Sequence, residues 1–275
     1  MPTLIGSDGC FCDHVFRTSL DPDVLDQTGI RADDFRDAVR ATSHRVGLLP
    51  EPEIWAGEIG PHNGGSPPCN RSSMRWANFA NSFWYMDAMA LKAARGFSVF
   101  CRQDFVGADY GLLDCATQTP LPDYYVSRMW TQLMGTAVLE ATVTGPRTVR
   151  AYAHCAAGAP RDLVILLLNL DNRPVNVDIA AGSGSDSDTS GHHLREAAPS
   201  KVAVGSRTEW HFTAGADGLG GTSIRLGGAE LVWAVGQPLP PMPGIVETAA
   251  TPVQVAPQSI VFVRVQSAAP AGLCV

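Results

Sequence analysis

The 275-residue sequence has no run of 18 apolar residues. Its best candidate, "LVILLLNL" at 163–170, is only strand-sized, so no spanning helix is expected. Basic residues are scarce. Lys and Arg number 20 against 27 Asp and Glu, for a net charge of −7 and a pI near 5.4. Without a dense Lys/Arg cluster, nucleic-acid binding by phosphate neutralisation is excluded. The first ten residues, "MPTLIGSDGC", have no basic n-region and no long apolar run. They do not read as a secretory leader, so either the protein is cytosolic or its true start lies elsewhere. Charged residues make up 17% and hydrophobic residues 45%. That is enough apolar material for a sizeable core, and it excludes wholesale disorder. There are seven cysteines, an odd count that leaves at least one thiol over if bridges form. "CFCDH" at 10–14 gathers Cys10, Cys12, Asp13 and His14. A Cys-x-Cys pair is tight for one zinc, and no second ligand pair follows at a standard spacing, so neither metal nor cofactor is expected.

The chain changes character near residue 138. Before it, strand and helix patterns alternate. "SLDPDVLDQTG" (19–29) reads as turn, and "RADDFRDAVRATSHRVGLL" (31–49) as an amphipathic helix with Phe35, Val39, Val46 and Leu49 inward. "EIWAG" (53–57) reads as a short buried strand and 73–96 as a helix with Phe79, Phe83, Met86 and Ala90 on one face. A strand over 97–107 and a helix over 122–135 follow. This alternation predicts βαβ units and a parallel sheet. After 138, short strands such as "VRAYAHCA", "DLVILLLNLD", "VNVDIA", "TSIRLGG", "AELVWAV" and "SIVFVRVQS" lie between Gly, Ser, Pro and Asp, with no convincing helix. That predicts an antiparallel sandwich. His192 and His193 fall in a low-complexity loop (180–193) and read as solvated.

Glu58 stands where a buried strand meets the loop "IGPHNGG". A carboxylate stranded there costs energy unless it is paired or used. On its own, the plainer reading is an ion-paired or loop-capping acid. Three strands are recognisable before 138: one ending near Val15, one at 53–58 and one at 97–105. A (β/α)8 barrel usually takes about 250 residues, so residues 1–138 are too few for one.

Several segments, in order, resemble the heparanases of glycoside hydrolase family 79, especially their plant-type members. They are "LDPDVLD", "WAGEIGPHNGG", "SFWYMDAMALKAARG", "VFCRQDFVGADYGLLD", "LPDYYVSRMWTQLMGTAVL" and "RAYAHCA". The resemblance implies an incomplete (β/α)8 TIM barrel, about strands six to eight (residues 1–138), followed by a β-sandwich (139–275). It implies a retaining endo-β-glucuronidase acting on a glucuronide-containing polysaccharide or proteoglycan glycan. Glu58 takes the nucleophile's position, at the end of strand seven. Gly64, Gly65 and Tyr110 match positions that hold the glucuronide carboxylate, with Gly107 in the same loop. His14 matches a histidine ending strand six. Cys155 and Cys274 match cysteines that tie the sandwich to the chain end, which implies an oxidising, secreted or lysosomal setting, with membrane association. The family's acid/base glutamate lies in an Asn-Glu dipeptide, and none occurs here. An N-terminal half is therefore expected outside this chain.

Retaining hydrolysis needs two carboxyl groups about 5–5.5 Å apart, one ionised and one protonated. Arg102 and Gln103 lie on the strand after that of Glu58, and alternation sends one of them inward. An inward Arg102 would keep Glu58 ionised. Without its partner acid, the 275-residue chain is expected to show no turnover. The alternative is a carbohydrate-binding or interaction protein that keeps the pocket and has lost catalysis. Trp76, Phe83, Trp84, Tyr85 and Trp130 read as core rather than sugar platform, and Cys101 and Cys115 as buried thiols.

Overall fold

A computed structural model describes residues 17–61, 76–181, 200–201, 206–248, 250–266, 269 and 274. His14, Gly64, Gly65, the "CFCDH" segment, the strand expected to end near Val15 and the His192–His193 pair lie outside them.

Helix α1 runs from Pro22 to Val46. Much of the stretch read as a turn is therefore helical. The Asp21 carboxylate accepts from the Asp23 N–H at 2.9 Å, and Pro22 opens the first turn, where its missing N–H costs nothing. Gly47, at φ +68°, ends the helix two residues before the expected Leu49. The inward face is also corrected. Leu25, Gly29, Ala32 and Ser43 are buried, whereas Phe35, Val46 and Leu49 are exposed. Small residues line the contact because Gly29 admits the Arg95 guanidinium, which pairs with Asp33 at 2.9 Å.

Strand β1 (Ile54–Ile59), helix α2 (Phe79–Ala93) and strand β2 (Phe97–Arg102) form one βαβ unit, with β1 and β2 parallel. Helix α3 (Pro122–Leu133) follows. Trp76, Phe83, Trp84 and Tyr85 are buried, as read, and Trp130 is half-buried against the same core. Cys101 is exposed instead, because β2 presents one face to solvent.

Beyond α3 every ladder is antiparallel. The strands are β3 (Met134–Leu139), β4 (Val149–Ala156), β5 (Ala159–Asn169), β6 (Val175–Val177), β7 (Ala180–Ala181), β8 (Ser200–Lys201), β9 (Ser206–Ala214), β10 (Ile224–Leu226), β11 (Ala229–Glu230), β12 (Ile245–Thr248), β13 (Val253–Val255) and β14 (Ser259–Val265). The main sheet has the order β11-β10-β9-β14-β5-β4-β3, with β12 also paired to β9. Val164, Leu166 and Leu168 of β5 and Ile260 and Phe262 of β14 face α2 and α3. Leu167, Val261, Val263 and Val265 point the other way, onto Val253 and Val255 of the small β6–β13 pair. Burial on both faces explains why β5 and β14 read as unbroken apolar runs. Cys155 and Cys274 form the expected disulfide, with Cα atoms 5.5 Å apart. Among the described residues, no helix is long and apolar enough to cross a membrane.

Candidate active site

Glu58 sits at the C-terminal end of β1 and is exposed. Regular alternation would place it on the face of Ile54 and Ala56, which are buried. The ladder breaks first. Ala56 pairs with Phe100 and Ile59 with Arg102, so three steps on β1 match two on β2. Glu58 therefore lies in a β-bulge, a feature that re-aims side chains. Beyond it, the Ile59 carbonyl accepts from the Gln103 N–H at 2.8 Å. A Cβ added at Gly60 would stand 3.6 Å from Tyr110 Cε2, which places the Tyr110 ring beside the strand end.

The loop after β2 brings in Tyr110 and Gly107. Tyr110 is buried against Trp76 and Ala80. Burial first, then the Asp104, Asp109 and Glu58 carboxylates, hold its phenol above the usual tyrosine range, and Arg102 pulls the other way. Glu58 and Tyr110 thus share one electrostatic neighbourhood. Gly107 has φ +119°, a conformation that side-chain-bearing residues rarely adopt.

Arg102 does turn inward, but its ion pair is with Asp123, at 3.0 Å, and not with Glu58. The reason is local. Asp123 is buried in the first turn of α3, where Asn81 Nδ2 and Ser82 Oγ also donate to it, each at 2.7 Å. A carboxylate so desolvated requires a cation. The guanidinium lies 5.6, 5.1 and 5.4 Å from the ring centroids of Trp84, Tyr85 and Tyr110. It also donates to the Tyr110 carbonyl at 2.9 Å. Burial pushes the Tyr85 phenol up to about 12. Arg102 therefore fixes the floor of the site. Gln103 is exposed at the strand end.

The main sheet contributes a wall. The loop between β9 and β10 reaches α2, where the Leu219 and Gly221 carbonyls accept from the Ala80 and Phe79 N–H groups at 2.9 and 3.0 Å. These caps hold the helix that carries Asn81 and Ser82 under Asp123.

The structure thus brings Glu58, Arg102, Gln103, Gly107 and Tyr110 to one end of the parallel pair. One residue nearby escaped the sequence reading: Asp123 follows Pro122 at a helix start, a pattern that signals an N-terminus and not a buried ion pair. Asp104, two residues after β2, reads from the sequence as a loop residue without a catalytic role. Among the described residues, no cluster of His, Cys, Asp or Glu could hold a metal ion.

No family model matches the chain. Among curated proteins it is similar to "Heparanase-like protein 3" of Arabidopsis thaliana, 32% identical over 263 residues, which span 93% of this chain and 47% of that protein. It is 30% identical over 211 residues to "Baicalin-beta-D-glucuronidase" of Scutellaria baicalensis, covering 76% of this chain and 35% of that protein. It is 34% identical over 163 residues to "Heparanase" of Gallus gallus, covering 56% of this chain and 28% of that protein. Similar solved structures include CelM2, a bifunctional glucanase-xylanase from a metagenome library, with TM-score 0.48, 12% identity and coverage of 93% of this chain and 39% of that one. A family 44 endoglucanase from Clostridium gives TM-score 0.46 at 9% identity, covering 82% of this chain and 34% of that one. The chain spans about half the length of the first curated relatives it matches. Over the part of their length that it spans, the chain belongs to the heparanase-like proteins.

Proposed function

We propose that this chain carries the nucleophile side of a retaining glycosidase that cleaves glucuronide bonds in a polysaccharide or proteoglycan glycan. The observation that carries this reading is the placement of Glu58: an exposed carboxylate in a bulge at the C-terminal end of a parallel strand, beside the Tyr110 loop, in a heparanase-like sequence. Strand C-termini are where barrel enzymes hold their reacting groups. Glu58 would attack the anomeric carbon. Gly64, Gly65 and Tyr110 would receive the glucuronide carboxylate, with Gly107, Arg102, Gln103 and His14 bordering the site. The βαβ unit supports residues 1–138 as the last part of a (β/α)8 barrel and 139–275 as the β-sandwich domain that accompanies it. The general acid would come from a half outside this chain. The Cys155–Cys274 bridge fits an oxidising compartment, secreted or lysosomal.

General acid assistance is typically worth about 10²–10⁴-fold, so the chain alone should not turn over an ordinary aryl glucuronide. A leaving group that needs no proton separates the nucleophile from the acid. With a 2-fluoro-glucuronyl fluoride, the Glu58 carboxylate oxygen would form a bond to the anomeric carbon. The C–F bond would break and fluoride would leave with its electron pair. Peptide mass mapping should find the 2-fluoro-glucuronyl ester on Glu58 in the native chain and nothing in Glu58→Gln. Binding of the reagent without a label would favour the carbohydrate-binding alternative.

A further inference from the structure

The loop between β9 and β10 (215–223) belongs to the main sheet, yet its tip lies among the residues around Tyr110. The Gly215 N–H closes its base by donating to the Ser223 carbonyl at 3.0 Å, and the Gly221 N–H donates to the Gly218 carbonyl at 3.0 Å. The turn is tight. A Cβ added at Gly221 would stand 2.6 Å from the Asp217 Cβ. A loop tied in this way holds Leu219 in one place.

Leu219 bridges two apolar groups. It packs against the main core between helices and sheet, and also against the separate cluster of Trp76, Ala80 and Tyr110. Among the described residues it is the one that joins both. The backbone connects the same parts. The Leu219 carbonyl accepts from the Ala80 N–H at 2.9 Å, and the Asp109 carbonyl, next to Tyr110, accepts from the Trp76 N–H at 2.9 Å. The Tyr110 side chain is 4% exposed, and its ring stands 3.6 Å from a Cβ placed on Gly60, two residues after Glu58. A ring so enclosed takes its position from close-packed neighbours, and truncating one of them lets the others relax into the space.

We propose that Leu219 is a positioning residue for the glucuronide site: the β9–β10 loop seats it against Trp76, Ala80 and Tyr110, and this contact sets where the Tyr110 hydroxyl meets the sugar carboxylate. The main sheet thereby takes part in selecting a glucuronide over a neutral sugar. This deepens the glucuronide reading above and rests on it. Leu219 acts through Tyr110, so its effect falls on the ligand group that Tyr110 receives. Losing one hydrogen bond to a charged group lowers affinity by about tenfold or more.

The test is calorimetric binding of p-nitrophenyl β-D-glucuronide and p-nitrophenyl β-D-glucoside to the 275-residue chain. Leu219→Ala removes the side chain and leaves the carbonyl that caps α2. It should lower glucuronide affinity about tenfold or more and leave the glucoside within about twofold. Leu219→Met, of similar volume, should restore the glucuronide affinity. Leu231 packs against the main core and stands outside the Tyr110 cluster. Leu231→Ala should therefore leave both affinities unchanged, and this contrast decides if the glucoside binds too weakly to measure. Leu219→Val should show the same selective drop if the alanine variant does not fold. Native glucuronide affinity in the truncated Leu219 variant, an equal fall for both sugars, or the same fall in Leu231→Ala overturns the proposal and spares the glucuronide reading. No glucuronide binding by the native chain overturns both.

Discussion

Asp123 is 2% exposed, yet it accepts hydrogen bonds from Asn81, Ser82 and Arg102. Taken alone, such a buried pair stabilises little, because desolvation offsets the attraction. Removing one partner is different, since it leaves the other charge buried and unpaired. Asp123→Ala should therefore cost about 3–5 kcal/mol in urea unfolding. A loss below about 1 kcal/mol would mean that Arg102 finds other compensation. The resemblance made Glu58, Gly107 and Tyr110 legible in the sequence. The partner of Arg102 was not legible, because strand alternation sends a side chain inward without saying which of several carboxylates waits there. Adjacency of the two strands favoured Glu58, whereas burial and two further donors selected Asp123.

At the scale of elements, α1 shows what local chemistry can and cannot report. "LDPD" reads as a turn because Asp-Pro also begins turns; here Asp21 caps and Pro22 starts the helix. Asp21→Ala should lower stability by about 1 kcal/mol, measured as a shift in the urea midpoint. Retained stability would show that Pro22 and tertiary packing fix the helix start without the cap. Strands β5 and β14 were legible as apolar runs, but β9 was not. Its inward positions include Arg207 and Glu209, an ion pair in which Arg207 also donates to the carbonyls of Thr248, Thr251 and Pro252. Charged residues at buried positions invert the pattern that period-two reading relies on. The bulge at Glu58 was invisible for a related reason. One extra residue in a ladder is set by the partner strand and leaves no local mark.

At the scale of the whole molecule, one arginine of the main sheet reaches two helices. Arg150 of β4 donates to Asp87 of α2, to Asp26 of α1 at 2.8 Å and to the Tyr152 hydroxyl at 3.2 Å. Asp87 is 0% exposed, and its Oδ2 has no hydrogen-bond partner. Burial pushes the Asp87 carboxyl up, and the neighbouring Arg150 charge is the chief opposing influence. In Arg150→Met that opposition is lost, and the carboxyl moves further up. An aspartate raised in the folded state binds more protons folded than unfolded. Its penalty is therefore absent below the unfolded value of about 3.9 and grows as pH rises through the folded one. Arg150→Met should accordingly be about 3–5 kcal/mol less stable than the native chain near neutral pH. The deficit should shrink toward about pH 4 as Asp87 becomes the neutral acid. Asp87→Asn combined with Arg150→Met should recover much of the neutral-pH loss, since no unpaired charge then remains buried. Urea titrations at several pH values read all three outcomes. A deficit that stays constant with pH would show that Arg150 holds helices and sheet together through its packing and its contact with Asp26, with the Asp87 charge contributing little.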